Sequence, residues 1–560
     1  MRRGNLNIGL GLVISLSLFS CVSENQEKEG PFKDVIDFKK EISLKSGGLK
    51  KTIHSTDQVE SKIIKDPNWN VELQPFLEAD FNSSANQESY IRTETKGQLS
   101  PWRDVSWVST NEKLPVKSAV YRFVDSTCVG VILEVRKLTA AYSMDETLVY
   151  LPSSGYTISN HQDLSNMNEN SFFLSGQFMD EPQPWRMFFD IGEQIVPVNF
   201  NMSVKGNTKI LEFVQGKESF KVVALQTDSG YFAEMPVFQS YILFDIKDTE
   251  LKGTFHNLDK GPDYIIPLSA NKLPYEMVYG LRPDEVLADY SGKWETVFYG
   301  NGDSTSAIGL FERMGDDLIG TFATETGDYR FLQGKVVGDS FSLSTFDGSH
   351  LFLFTGKLMG ENITEGHFYS GTHHQEKWGA VRNNDFELID PNSMTTLQNE
   401  EVKFDFSFPN LEGEYVSLSD KKYQNKVIIL QILGSWCPNC MDETRYFKEL
   451  YDAYQVDGLE IIGLAFERST DFEVAKAALK KSTLDLKVPY PMLIAGTPKE
   501  SSKALPMITP IKSYPTSIFI NRAGKVVKIH TGFYGPSTGK FYDDYRAETE
   551  VFIKALLLEK

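Results

Sequence analysis

Two cysteines two residues apart, Cys437 and Cys440, lie in the run Gly434-Ser435-Trp436-Cys437-Pro438-Asn439-Cys440. A segment that is apolar but for Gln431, Val427 to Leu433, precedes them and has the length and Val/Ile content of a buried strand. At a strand-to-helix junction such a pair shares one helical turn and can close a disulfide. Pro438 suits the first helical position, where a missing N–H costs nothing. The spacing predicts a helix from about Pro438 to Tyr454, with Met441, Phe447, Leu450, Tyr451 and Tyr454 near one face. Its unpaired N–H groups and macrodipole then point at the Cys437 sulfur and favour the thiolate. Cys437 is therefore expected to attack and Cys440 to resolve.

Zinc binding would need a second ligand pair, and no other Cys-x-x-Cys or His-x-x-x-His follows. No metal site is expected. A purely structural disulfide would need neither Trp436 before the first cysteine nor Pro438 between the two. The chain resembles the peroxiredoxins poorly, because their Pro-x-x-x-Thr-x-x-Cys pattern would put Pro at Leu430 and Thr at Gly434.

The elements needed to position the pair follow in order. Leu459 to Phe466 reads as a second buried strand and Asp471 to Lys481 as an amphipathic helix. Tyr514-Pro515-Thr516 precedes a strand, Ser517 to Ile520, joined by Asn521-Arg522-Ala523-Gly524 to Val526–Gly532, with Gly placed for a positive φ. A closing helix is expected from about Ala547 to Leu558. Residues 400–560 with these motifs resemble the TlpA/ResA branch of thioredoxin-like proteins, tethered thiol–disulfide oxidoreductases of the bacterial envelope. The resemblance implies an α/β thioredoxin-like fold, with Trp436, Cys437, Pro438 and Cys440 as its active-site motif. Phe404 to Leu418 matches the family's N-terminal hairpin. Pro515 matches a cis-proline whose loop, with Tyr514 and Thr516, faces the attacking sulfur and lends its backbone to an incoming extended peptide.

One departure matters for proton handling. Thioredoxins carry a buried Asp six residues ahead of the first cysteine, and Gln431 occupies that position here. Glu467, at the end of the Leu459–Phe466 strand, is the candidate replacement, since a carboxylate beside apolar neighbours has a raised pKa and can exchange protons near neutrality. The alternative is a solvated Glu467 paired with Arg468, and the sequence leaves both open.

The N-terminus supports an exported chain. Met1-Arg2-Arg3 is basic, Leu6 to Phe19 is apolar, and Leu18-Phe19-Ser20-Cys21 resembles a bacterial lipobox, which implies a signal peptide over 1–21 and lipidation of Cys21. Fourteen apolar residues fall short of the roughly twenty that span a bilayer. Cys128, in a strand-like context, is expected to be a buried, inert thiol.

A chain of 560 residues suggests several domains. A formal net charge of -19 argues against nucleic acid as a partner, because phosphate binding needs a basic footprint. Short alternating segments ending at Gly, Asn or Asp predict mainly-β modules, antiparallel barrels or sandwiches, over 184–285 and 286–385. Residues 22–110, rich in Ser, Asn, Lys and Glu, read as a polar tether or loosely ordered region; 111–183 reads as a β-containing region and 386–399 as a linker. His350, His367, His373 and His374 cluster in the second module without metal-ligand spacing. The combination of a PWR-type module, a GKWE-type module and the cysteine domain resembles a multidomain form of TlpA-like envelope lipoprotein. The expected activity is a lipid-anchored oxidoreductase facing the periplasm, which reduces disulfides of envelope proteins and is recharged by a dithiol donor protein. No flavin or nicotinamide fingerprint is visible, and no cofactor is expected. An oxidase or isomerase using the same pair, or a ligand-binding β-module protein with a docking domain, are the alternatives.

Overall fold

The computed structural model describes most residues from 35 to 559. Outside the described residues fall 1–34, and with them Cys21, and chiefly 80–87, 97–101, 165–169, 179–182, 273–286 and 400–402. The chain divides into two compact units, the first holding residues up to Pro184 and the second most of those from Trp185 to Lys560.

The first unit is built on a nine-stranded antiparallel sheet between Leu49 and Phe178, in which most strands pair with their sequence neighbours and the strand at Leu49–His54 closes against Asn170–Phe178. Two short helices, Trp69–Glu72 and Gln74–Glu78, bring Phe76 onto Tyr150 and Tyr156. The described part of 22–110 is thus not a tether: it supplies four strands and both helices. Its polarity misled because a strand such as Tyr90–Lys96 buries only its first residue and carries Arg, Thr, Glu and Lys outward. Cys128 is half-buried in its strand, and its thiol donates to the Gly130 carbonyl at 3.4 Å.

The second unit contains two antiparallel barrels and an α/β domain. Eight strands from Gln183 to Lys272 close in sequence order into the first barrel. The second, Gly292 to Arg382, closes because the strand Ser304–Met314 pairs with both Gly292–Tyr299 and Asp317–Thr324. A short strand, Gly327–Asp328, folds back on the end of Asp317–Thr324 to make a hairpin whose tip is Glu325-Thr326. Aromatic side chains fill this barrel: Phe298, Phe311, Phe322, Phe354, Phe368 and Trp378 form a continuous edge-to-face and stacked set. Phe346 leaves it to sit between Phe189, Phe213 and Phe255 of the first barrel, at ring-centroid distances of 5.0–5.2 Å.

The α/β domain has a five-stranded sheet in the spatial order Met492–Gly496, Leu459–Phe466, Val427–Leu433, Thr516–Ile520, Val526–Thr531. The first three strands are parallel and the last two antiparallel. Each central strand is buried on both faces, so alternate residues serve two cores. Ile429 and Phe519 pack with the helices Pro438–Tyr454, Phe472–Leu486 and Lys540–Leu558, whereas Ile428, Leu430 and Ile518 pack with Phe404, Phe406 and Val416 of the N-terminal hairpin. Two helices outrun their expected bounds. Leu486 continues the inward face beyond Lys481, and buried Tyr545 extends the last helix back to Lys540 in a run too rich in charges to show a period. The expected linker 386–399 is in fact bound to this domain: Leu397 bridges to Ile508, the Thr531 amide donates to the Pro391 carbonyl, and Thr395 is fully buried against the Thr531 hydroxyl.

Candidate active site

The strand Val427–Leu433 delivers the chain to Gly434, and the next three residues turn it into the helix Pro438–Tyr454. Cys437 is the N-cap of that helix, in extended conformation, and its sulfur accepts the Cys440 amide at 3.3 Å. Pro438 holds the first helical position. Both cysteines are free thiols. Cys437 keeps 7% of its surface exposed, whereas Cys440 has none. Burial, followed by the neighbouring Cys437, pushes the Cys440 thiol well above its ordinary value.

The other expected residues converge on the pair. The Tyr514–Pro515 peptide is cis, and the Tyr514 carbonyl lies 3.5 Å from the Cys437 sulfur. The Thr516 hydroxyl donates to the Ser513 carbonyl at 2.8 Å and the Gly532 amide to the Pro515 carbonyl at 2.8 Å, which fixes the loop. Trp436 donates its indole N–H to the Phe466 carbonyl at 3.0 Å and meets the Tyr514 ring edge-on at 5.6 Å. Arg468 lies over the Trp436 ring at 4.7 Å.

Of the two readings of Glu467, the structure excludes the solvated one. It is buried, not solvated, and its oxygens accept the Ser435 amide at 2.9 Å and the Ser435 hydroxyl at 2.7 Å. Burial pushes its carboxyl up to about 7, against the lowering effect of Ser435. Its contacts hold the turn before Cys437 and do not run to a cysteine sulfur.

A second buried carboxylate near Cys440 is one the sequence reading missed. Glu443, three residues after Cys440 and so on the same face of the helix, is fully buried. Gln431 bridges the two: its amide donates to the Cys440 carbonyl at 3.2 Å and to Glu443 at 3.0 Å, while its oxygen accepts from Thr444 at 3.1 Å and Tyr490 at 3.4 Å. Ser517 donates to the other Glu443 oxygen at 2.8 Å. Burial pushes Glu443 up to about 8, outweighing the hydrogen bonds from Ser517 and Gln431, and its charge in turn raises the Cys440 thiol. The signal was present as Cys-x-x-Cys-x-x-Glu, one helical turn beyond the pair.

Among the described residues no group of three or more His, Cys, Asp or Glu is placed to hold a metal. No helix among them is long and apolar enough to cross a membrane.

Residues 400–529 match the family model described as AhpC/TSA. The C-terminal domain has a thioredoxin-like fold and is similar to this family over those residues. Within it, the chain is 33% identical over 123 residues to the thiol-disulfide oxidoreductase ResA of Bacillus thuringiensis subsp. konkukian, covering 22% of this chain and 64% of that protein. It is 28% identical over 134 residues to the protein of the same name from Halalkalibacterium halodurans, covering 24% and 68%. The chain thus spans just under two thirds of the first of these relatives. Similar solved structures include a putative thiol:disulfide interchange protein DsbE from Chlorobium tepidum, with 24% identity, a TM-score of 0.22, and coverage of 29% of this chain and 99% of that one. StoA from Bacillus subtilis gives 23% identity, a TM-score of 0.20, and coverage of 25% and 98%. The positions that a peroxidatic Pro and Thr would fill in this thioredoxin-fold domain hold Leu430 and Gly434.

Proposed function

We propose that the chain is a thiol–disulfide oxidoreductase that reduces disulfides through Cys437 and Cys440. The observation that carries this reading is the placement of two free thiols on one helical turn, the outer against the Tyr514 carbonyl and the inner beside buried Glu443. The Cys437 thiolate attacks one sulfur of the substrate disulfide, forming a mixed disulfide and expelling the other substrate sulfur as a thiolate, which takes up a proton. Cys440 then loses its proton and attacks the Cys437 sulfur. The Cys437–Cys440 disulfide closes and the second substrate thiol leaves. Two electrons pass to the substrate, and the two enzyme protons balance the two thiols formed.

Glu443 is the group we assign to manage the Cys440 proton. With its carboxyl pushed up to about 8, it exists in both forms near neutrality, as a group that accepts and returns a proton should. Glu467 keeps the Ser435–Trp436 turn in register, and the Tyr514-Pro515-Thr516 loop receives the substrate segment.

Recharging requires a second dithiol protein, and placement in the bacterial envelope rests on the signal-like segment and Cys21. Mass spectrometry of the mature N-terminus should show acylation at Cys21; a chain starting elsewhere would remove the anchor from this account. A ligand-binding role for the second barrel is disfavoured by the aromatic rings that fill it. Oxidase or isomerase activity would use the same residues, and the reduction potential of the pair against a glutathione buffer decides the direction. Incubating the prereduced protein with a disulfide and counting thiols tests the central claim: two substrate thiols should appear for each Cys437–Cys440 disulfide formed, and none would refute it.

A further inference from the structure

The ground beside Cys437 is occupied by another part of the chain. The tip of the second barrel's hairpin, Thr324 to Arg330, lies against three segments of the thioredoxin-fold domain. The Thr326 carbonyl accepts the Ser513 hydroxyl at 3.3 Å, two residues from cis Pro515. Asn439, between the two cysteines, donates its side-chain amide to the Asp328 carbonyl at 3.2 Å. The approach is so close at Gly327 that a Cβ there would fall 2.1 Å from the Asn439 amide nitrogen, and Gly327 also has a φ of 146° that disfavours a side chain. At Gly532, a Cβ would meet the Thr326 backbone at 2.9 Å.

The hairpin is fastened on both sides. Asp328 accepts the Gly535 amide at 3.1 Å and the Ser537 hydroxyl. Arg330 reaches Asp442 of the active-site helix at 2.7 Å and Glu218 of the first barrel at 2.9 Å. Cys437 also belongs to the same buried apolar cluster as Val237 and Phe238 of the first barrel, where the Val237 amide donates to Asp485 at 2.8 Å.

We propose that this hairpin is the specificity-determining wall of the Cys437 site, admitting disulfides carried on a single extended segment and excluding those set within a folded protein. The inference rests on the oxidoreductase reading above. Cys437 as a whole keeps only 7% of its surface exposed, so its sulfur can be approached along a narrow line only. A disulfide inside a folded domain arrives flanked by its own neighbours, which would collide with Thr326 and Gly327. A single strand or a small disulfide brings no such bulk. Arg330 is a positioning residue here, acting through the hairpin.

The test uses the full chain, prereduced, and compares Arg330→Gln and Ser537→Ala with the parent. For each, kcat/KM is measured with hydroxyethyl disulfide and with a folded disulfide protein, ribonuclease A. In parallel, the alkylation rate of Cys437 is measured with iodoacetamide and with a polyethylene-glycol maleimide. A lowered active fraction cancels in the kcat/KM ratio, and the alkylation rates are compared well below the melting transition of each variant, where unfolded chain does not contribute. Unfastening the hairpin should raise the folded-protein to small-disulfide ratio at least tenfold in Arg330→Gln and by less in Ser537→Ala, and the bulky-to-small alkylation ratio should rise with it. Arg330→Lys should restore part of the parent selectivity. Unchanged ratios in both variants would overturn the wall. Failure to reduce either disulfide, with alkylation of Cys437 intact, would refute the oxidoreductase reading, and the wall as a selector of substrates with it; the alkylation ratio would still report whether the hairpin covers the sulfur.

Discussion

Asp442 and Glu443 are neighbours on the active-site helix and are both buried, yet they face two different nests. Glu443 enters a nest of neutral partners, Gln431, Ser517 and the nearby Tyr490. Asp442 enters a nest built around Arg330, which it meets at 2.7 Å, with Glu218 and Asp347 on the same guanidinium. Burial raises Glu443 to about 8. In the other nest burial opposes ionisation as well, but His350 and Arg330 hold Asp347 well below the usual carboxylate range, and Asp442 leads the charges that hold Arg330 well above its own. Burial beside neutral partners thus raises Glu443, whereas Asp347, equally buried but beside His350 and Arg330, is held in its charged form. The first nest suits proton traffic and the second suits fastening.

The largest expected effect removes the chemistry on which both nests bear. Cys437→Ser should abolish thiol exchange, while Cys440→Ser should accumulate mixed disulfides that non-reducing gels and mass spectrometry detect. Trapping through Cys440 instead would reverse the assignment of attacking and resolving thiol.

Arg330→Met should cost about 3–5 kcal/mol, the usual penalty for stranding buried charges, read from urea midpoints. A loss under about 1 kcal/mol would mean that the Arg330 nest is hydrated like a surface pair, and the contrast with Glu443 would collapse.

Glu443→Gln keeps the shape and removes the titration. Resolution by Cys440 should slow by about a hundredfold, in line with a well-placed acid–base group, and stopped-flow can separate it from the initial attack. The parent's resolution rate should climb as pH passes about 8 and the variant's should lose that rise. Stability provides a second reading. Because the folded pKa is raised from 4.5 to about 8, the folded state holds the proton longer than the unfolded chain, so this group's contribution falls as pH rises through that window. The parent's Tm should drop more than that of Glu443→Gln across the same window.

The smallest effect is expected for Glu467→Gln. Its oxygens are held by Ser435 on the turn before Cys437, and the carboxylate whose charge raises the Cys440 thiol is Glu443, so resolution should change by only a few-fold, with a modest loss of stability from the weakened hydrogen bonds. A drop as large as that of Glu443→Gln would return Glu467 to the proton path.

What could be read from the sequence was local. The Trp-Cys-Pro-Asn-Cys turn and the strand before it lie within a few residues and appear where spacing put them, and the Tyr-Pro-Thr loop lies against Cys437 as the family resemblance implied. Glu443 stands three residues after Cys440 and so was legible from helical spacing, whereas Glu467, at a strand end, is the carboxylate that the loss of an acid at Gln431 points to. The hairpin wall was not readable, since Arg330 and Asp442 are 112 residues apart and neither lies in a recognisable motif. Residues 49–96 read as a tether because their strands turn polar side chains outward, and 386–399 read as a linker because its hold on the domain runs mostly through backbone atoms and threonine hydroxyls.

Phe346 sets how this molecule can be cut. Its ring belongs by sequence to the second barrel and by packing to the first, like a plug in a socket formed by Phe189, Phe213 and Phe255. An expression fragment beginning near residue 286 would carry the plug into water, and one ending there would leave the socket empty, a defect of the size that costs about 3–5 kcal/mol when a buried Phe is truncated. Cleaving the chain between the barrels would therefore yield two poorly behaved pieces, and calorimetry of the intact second unit should show the barrels melting in one transition.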